Sequence, residues 1–343
     1  MAKYRDIGGT TVGFRSGAEE YAYGTSGSGF EGSIYYNSSN GKFEFVGLGV
    51  GAWSTGGSTN TGRTQAGGFG TLTAGAIAGG FEQPSYNAEV EEYNGTAWSE
   101  VTNIPRAQRH MGSCGTQTAG LINGGAAAPP GGAFAETFEY DGTNWTESGD
   151  MNVAKYNLEN AGTQTAALAI AGQTGSPDNN TAVGTVELYN GSSWSEEADL
   201  SSSRRSVGAI GTSTAAISAA GFTPPSAYST NVESWNGSSW SEVAEMNTSR
   251  ATSAVAGTQT AGLMSGGETD DAQAKTEDWN GTAWTEVGDL STARGTVAGG
   301  NAGPNKATWL QGGYIPGQSP NAYSTVLTEE WTFVHAIKTV TTS

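Results

Sequence analysis

One five-residue phrase recurs along this chain and limits its architecture more than any other feature. Gly-Thr-x-Thr-Ala begins at Gly70, Gly115, Gly162, Gly211 and Gly257, and a degenerate sixth copy runs Gly303-Pro304-Asn305-Lys306-Ala307. Each copy leads into small apolar residues and ends, ten residues after its first Gly, at Gly80, Gly125, Gly172, Gly221, Gly267 or Gly313. An aromatic, a turn and a Trp occur five times, first as Tyr93-Asn94-Gly95-Thr96-Ala97-Trp98 and then at 140–145, 189–194, 235–240 and 279–284. Asn-Gly and Asp-Gly tolerate the positive φ of a tight hairpin turn, so each such phrase predicts two antiparallel strands. The period is about 46 residues. Six copies predict six stacked repeats, none able to bury its own apolar face alone.

Four strands fit each repeat. In the fifth, the first follows a basic residue (250–256), the second is the small-residue run (260–266), the third ends at the aromatic (275–279) and the fourth starts at the Trp (284–287). The second strands are almost continuously apolar, as expected of strands covered on both faces by neighbouring sheets near an axis. The fourth strands carry Glu100, Glu147, Glu196, Glu242 and Glu286 after the Trp. Acids there keep an outer edge from pairing with other chains.

Those acids account for much of the charge. Acidic residues outnumber basic ones 33 to 15, a formal net charge of −18 that excludes nucleic acid and anionic membranes as natural partners. The 53 glycines among 343 residues suit tight turns rather than helices. A single cysteine, Cys114, allows no intrachain disulfide and is expected as a small buried strand residue. No apolar stretch at the N-terminus has signal-peptide length, and none elsewhere spans a membrane. Synthesis in the cytoplasm is expected.

The Gly doublets Gly79-Gly80, Gly124-Gly125, Gly266-Gly267 and Gly312-Gly313, each with a spaced aromatic and Trp, resemble the kelch signature; Ala171-Gly172 and Ala220-Gly221 depart from it. The resemblance implies an all-β, six-bladed kelch-like β-propeller over residues 52–335, with a small β-rich extension at 1–51 and a tail at 336–343. The repeat starts out of phase: Trp53 matches a fourth-strand Trp, and Trp331 matches a third-strand aromatic with no turn and Trp after it. Blade six is expected to take its outer strand from 52–56 and its inner three from 294–333. The competing arrangement uses 335–341 as the outer strand.

Residues 32–45 alternate around Asn40-Gly41 and predict a hairpin. The phrase resembles a hairpin that recurs in tailed-bacteriophage fibre and virion proteins. That resemblance implies a non-enzymatic virion structural protein, a fibre, tail or head appendage bound to other virion proteins through residues 1–51. A propeller serving purely as an interaction module, or a glycan-active enzyme on the same fold, are the rival readings.

The search for chemistry finds little. His110 and His335 occupy different repeat positions and give no metal-ligand spacing. Asp141-Gly142-Thr143-Asn144-Trp145 resembles a sialidase Asp box one residue short. Glu268 with Asp270-Asp271, and Asp178-Asn179-Asn180, offer hard oxygen ligands but no ordered spacing. No catalytic, cofactor or metal residues are expected.

Two features point to a binding face instead. Ten residues after each Trp stands Arg63, Lys155, Arg204, Arg250 or Arg294, with Gln108 between Arg106 and Arg109 in the second repeat. These could ring one mouth of the channel and grip anions, or pin the loops between blades. Almost all variation in length falls between the Gly doublet and the third-strand aromatic: 13, 15, 17, 14, 12 and 18 residues. Strand direction puts these loops and the basic ring on the same face. Tyr86, Tyr228 and Tyr323, beside prolines in three of the loops, are the expected contacts with a host-surface glycan or protein.

Overall fold

The computed structural model describes residues 13–15, 34–37, 42–127, 132–175, 181–225, 227–301, 307–316 and 324–339, with side chains between 51 and 333. In the first repeat, Gly67–Thr71, Ala74–Glu82, Ser85–Tyr93 and Trp98–Val101 pair antiparallel in that order. The next four repeats form the same four-stranded sheet. With a sixth sheet containing Ala298–Gly299, Ala307–Gln311 and Thr328–Thr339, the fold is an all-β six-bladed β-propeller.

The first strands, and not the second, lie innermost. Gly68 N–H donates to Ser113 Oγ of the next blade at 3.0 Å, and that hydroxyl returns a bond to Gly68 O at 3.0 Å. A Cβ at Gly68 would sit 2.6 Å from the carbonyl oxygen of Gly299, so only glycine lets the strands approach this closely. The small-residue second strands form the next layer, and the Trp strands lie outermost with Glu100, Glu147, Glu196, Glu242 and Glu286 exposed. Cys114 is buried in Gly112–Thr116, and burial first of all holds its thiol well above the usual value.

Two hydrogen-bonded belts tie the blades together. The N–H of Gly80 donates to Gln108 O at 2.8 Å, Gly125 to Lys155 at 3.0, Gly172 to Arg204 at 3.0, Gly221 to Arg250 at 2.8, Gly267 to Arg294 at 2.9 and Gly313 to Arg63 at 3.0 Å. The second belt is closer to the axis. His110 N–H donates to Gln65 O, Asn157 to His110, Ser206 to Asn157, Thr252 to Ser206 and Gln65 to Thr296, at 2.7–3.2 Å. These residues and Thr296 share φ of 52–60°, a left-handed conformation that non-glycine residues keep only when their surroundings fix it.

The ring closes as expected. Gly56 N–H donates to Thr328 O at 2.9 Å, and Trp53 packs on Trp331 with ring centroids 5.4 Å apart. Trp53 Nε1 donates to Thr276 Oγ1 of blade five at 2.9 Å, as Trp98 does to Thr328 and Trp194 to Thr137 at the same distance. Trp53 is therefore the fourth-strand Trp of blade six. Thr328–Thr339 continues as one strand, so the residues from 335 do not fold back to take that place. Blades one, three and four carry Val90, Val186 and Val232 where the others have Thr; Trp145 beside Val90 donates to Thr102 O instead, but the indoles packed with the other two, Trp240 and Trp284, leave Nε1 buried without a partner. Val232→Thr should supply Trp284 with an acceptor and raise stability by about 1 kcal/mol. An unchanged or lower Tm would contradict the pairing.

Residues Trp53–Thr332 form one compact unit, and Met1–Ala52 with Phe333–Ser343 form another. In the latter, Gly13–Arg15 runs parallel to Ile34–Asn37, which forms the expected hairpin with the start of Lys42–Thr55, Ile34 opposite Phe45 and Asn37 opposite Lys42.

The basic ring takes a different role from the anion grip. Arg63, Lys155, Arg204, Arg250 and Arg294 are all fully buried. Each pairs with an acid two residues before the third-strand aromatic: Arg204 with Glu233 at 2.7 Å, Arg294 with Glu329 at 2.8 Å, Arg250 with Glu277 at 3.2 Å, Lys155 with Glu187 at 3.6 Å, and Arg63 with Glu91. The other carboxylate oxygen accepts an N–H from the linker between blades, as Glu233 does from Ser201 at 2.8 Å. These side chains pin the linkers and do not reach a ligand. Blade two replaces both partners at once, with Gln108 and Phe138 in the two buried places.

Candidate functional site

The residue after each base bridges the residue after each doublet: Thr64–Phe81, Arg109–Ala126, Tyr156–Gln173, Arg205–Phe222, Ala251–Glu268 and Gly295–Tyr314. One backbone geometry is used six times, yet the side chains differ in charge and size. Arg109, Arg205, Glu268 and Tyr314 stand at this mouth, on the face of the variable loops; Arg205 and Tyr314 were not expected there, Arg109 was noted only beside the basic ring and Glu268 only as an oxygen ligand without ordered spacing.

Both arginines are held in place. Arg109 donates from Nη1 to Gln65 Oε1 at 2.8 Å, with its guanidinium 5.0 Å above the Phe81 ring and 4.9 Å above Tyr86. Arg205 donates to Gln173 Oε1 at 2.5 Å, with its guanidinium 4.7 Å above Phe222. Phe81 meets Tyr86, and Phe222 meets Tyr228, edge to face at 5.5 and 5.3 Å. An amide below and an aromatic face beside a guanidinium fix its plane, and a guanidinium so oriented suits a planar anion. His110 lies between them; burial, then the two arginine charges, pull its pKa down to about 3, so it is neutral.

Across the mouth, the Tyr314 hydroxyl faces the Glu268 carboxyl closely enough for each to shift the other. Burial raises Glu268 above the usual carboxylate range, against the opposing effects of the Tyr314 hydroxyl and the charge of Arg205. Burial and the neighbouring acids Glu268 and Asp271 push Tyr314 up to about 12. Two hollows meet here. One of about 450 Å³ contains Arg109, Phe81 and Tyr314; one of about 190 Å³ contains Arg205, Phe222 and Tyr228. Gln65, Glu268 and Thr296 line both.

Below the inner belt blade three places Glu159 at the axis, where the other blades have Gly67, Gly112, Gly208, Ala254 and Ala298. The cavity there is about 60 Å³, the room of about two waters. Burial pushes Glu159 up to about 8, only partly opposed by backbone N–H groups of Asn160 and Ser113. Because the folded state holds this proton more tightly than the unfolded chain, stability should fall as pH rises from the usual carboxylate range to about 8. Glu159→Gln should therefore raise Tm at pH 8 and leave it nearly unchanged at pH 4. Equal shifts at both values would contradict this.

Of the expected contacts, Tyr86 and Tyr228 stand in the walls of the mouth, half-buried, and Tyr323 lies outside the described residues. The 178–180 segment also lies outside them, as does the side chain of His335. The Asp141 carboxylate accepts the N–H groups of Thr143 and Asn144 in an exposed turn and is no part of the mouth. Among the described residues no cluster of three or more His, Cys, Asp or Glu could hold a metal.

Ring and mouth together define a six-bladed β-propeller with a concave, chemically uneven face. The chain is similar to the solved structure of YjhT, with a TM-score of 0.66 at 11% identity, covering 81% of this chain and 97% of that one. No family model and no curated protein matches. The likeness carries the fold, and it corrects the virion reading, which rested on the phrase at 32–45: the ring resembles that of YjhT. The phage-like phrase at 32–45 specifies a local hairpin, which any protein can use. The expectation of a non-enzymatic chain is corrected by the same likeness.

Proposed function

We propose that this propeller is a glycan-active enzyme whose mouth takes an acidic saccharide. The observation that carries this reading is the Glu268 carboxyl, which lines both hollows of the mouth, faces Tyr314, and is kept by burial above the usual carboxylate range. Arg109 and Arg205 supply the recognition of a carboxylate or sulfate, and Phe81, Tyr86, Phe222 and Tyr228 supply flat faces for sugar rings. A pair of carboxylates flanking a glycosidic bond is one known arrangement for its hydrolysis. Among the described residues Glu268 is the carboxyl that lines both hollows, so it gives its proton to the bridging oxygen as the glycosidic bond breaks and takes one back from the water that adds at the freed carbon.

Turnover and binding should be measured on uronates, sulfated sugars, nonulosonates and their neutral counterparts. Acidic saccharides should bind and react, and the neutral ones should bind at least tenfold more weakly. Equal binding of charged and neutral sugars, or none of either, would contradict the reading.

A further inference from the structure

The two arginines of the mouth are placed differently. Arg63, Arg106, Arg204, Arg250 and Arg294 each pair with a carboxylate of this chain, whereas among the described residues Arg109 pairs with none. Glu136 of the same blade is already taken by Arg106 at 2.8 Å, and the residue bridged to Arg109 is Ala126, whose side chain offers no acceptor. Arg109 is nevertheless held. Its Nη1 donates to Gln65 Oε1 at 2.8 Å, and two rings of one hairpin, Phe81 and Tyr86, flank the guanidinium at 5.0 and 4.9 Å. The other edge carries Nε and Nη2. Nε is buried without a partner, and Nη2 donates to nothing among the described residues. An oriented cation with an unused edge, lining a hollow of about 450 Å³, is completed by a carboxylate or sulfate through two parallel hydrogen bonds.

Arg205 is engaged elsewhere. It donates to Gln173, lies over Phe222 at 4.7 Å and has a further interaction within the chain. It lines the smaller hollow with Glu268, and its charge acts on that carboxyl. The other titratable groups around Glu268 are Tyr314, Tyr228, Asp270, Asp271 and, in the larger hollow, Arg109. Arg205 supplies positive charge that favours the ionised form of Glu268.

We infer that Arg109 is the specificity residue that takes the acidic group of the saccharide in the larger hollow, and that Arg205 is a positioning residue that acts through Glu268. This narrows the acidic-saccharide reading above and rests on it. One acidic group is then read per ligand, and the sugar atoms over the smaller hollow need carry no charge.

Calorimetric titration of the full chain with galacturonate against galactose, glucuronate against glucose, and galactose 6-sulfate against galactose tests the first part. In at least one pair the acidic member should bind the unaltered chain about tenfold or more tighter, the effect of a charged bidentate contact. Arg109→Met should bring that ratio below about threefold, and Arg205→Met should leave it above. Carbon-13 NMR of the glutamate-labelled chain, with the Glu268 signal assigned by its loss in Glu268→Gln, tests the second. Its titration midpoint should rise in Arg205→Met, because a favourable positive charge is removed, and return toward the original value in Arg205→Lys. A Met variant without a cooperative unfolding transition is replaced by the Gln variant at the same position. A ratio that survives in Arg109→Met, or is lost in Arg205→Met, overturns the assignment of the acidic group while the acidic-saccharide reading stands. An unmoved midpoint in Arg205→Met overturns the positioning role. Equal binding of acidic and neutral sugars by the unaltered chain, or none of either, ends both the inference and the reading beneath it.

Discussion

Glu268→Gln should lower turnover of the acidic saccharide by about 10²–10⁴, the ordinary contribution of a positioned acid–base group, and change its affinity by only a few-fold. The amide keeps the shape of the side chain beside Tyr314 but has no proton to exchange at these pH values. The pH profile gives a second, independent readout. Burial raises the Glu268 pKa, so the protonated acid persists above the usual carboxylate range, and the rate should fall as pH rises through that raised value. Tyr314→Phe removes the hydroxyl that lowers the Glu268 pKa, so this limb should move to still higher pH. A limb unmoved in Tyr314→Phe, or full turnover in Glu268→Gln, would place the chemistry elsewhere.

Glu233→Ala should cost about 3–5 kcal/mol, because it leaves Arg204 buried without its counter-charge and removes the acceptor for the Ser201 N–H. Burial already lowers the Arg204 pKa, and Glu233 is the first group that opposes this shift. Blade two shows how the same place can be filled without charge: Gln108 is fully buried and Phe138 is 4% exposed. The double variant Arg204→Gln, Glu233→Phe should therefore recover most of the loss, as buried pairs often can be exchanged for apolar or neutral partners of similar volume. Urea unfolding of the single and double variants decides this. A double variant as unstable as Glu233→Ala would mean that the pair contributes more than charge neutralisation at the linker.

The ring was legible in the sequence because its construction repeats. The Asn-Gly turns, the invariant spacing of ten and the phase of Trp53 against Trp331 each reflect a local backbone requirement that returns in every blade. The same regularity hid the mouth. Arg63 and its counterparts stood out because they recur, and they recur because every blade needs the same buried pair. Glu268, Tyr314, Arg109 and Arg205 sit one residue beyond repeated landmarks, where the backbone is constant and the side chain is not. Aligning the six repeats and asking which fixed slots change chemistry would have singled them out. What it could not give is the convergence, because Arg109 reaches back to Phe81 and Glu268 reaches forward to Tyr314 across blade boundaries.

The central claim is that the uneven mouth takes an acidic saccharide with Glu268 at the reacting oxygen. A crystal structure of Glu268→Gln soaked with the tightest-binding acidic saccharide tests it most directly. The account predicts the ligand in the mouth, an acidic group within hydrogen-bond distance of the Arg109 or Arg205 guanidinium, and a sugar oxygen against the side chain at 268. A saturating ligand found on another part of the ring, or seated in the mouth with its acidic group turned away from both arginines, would contradict it.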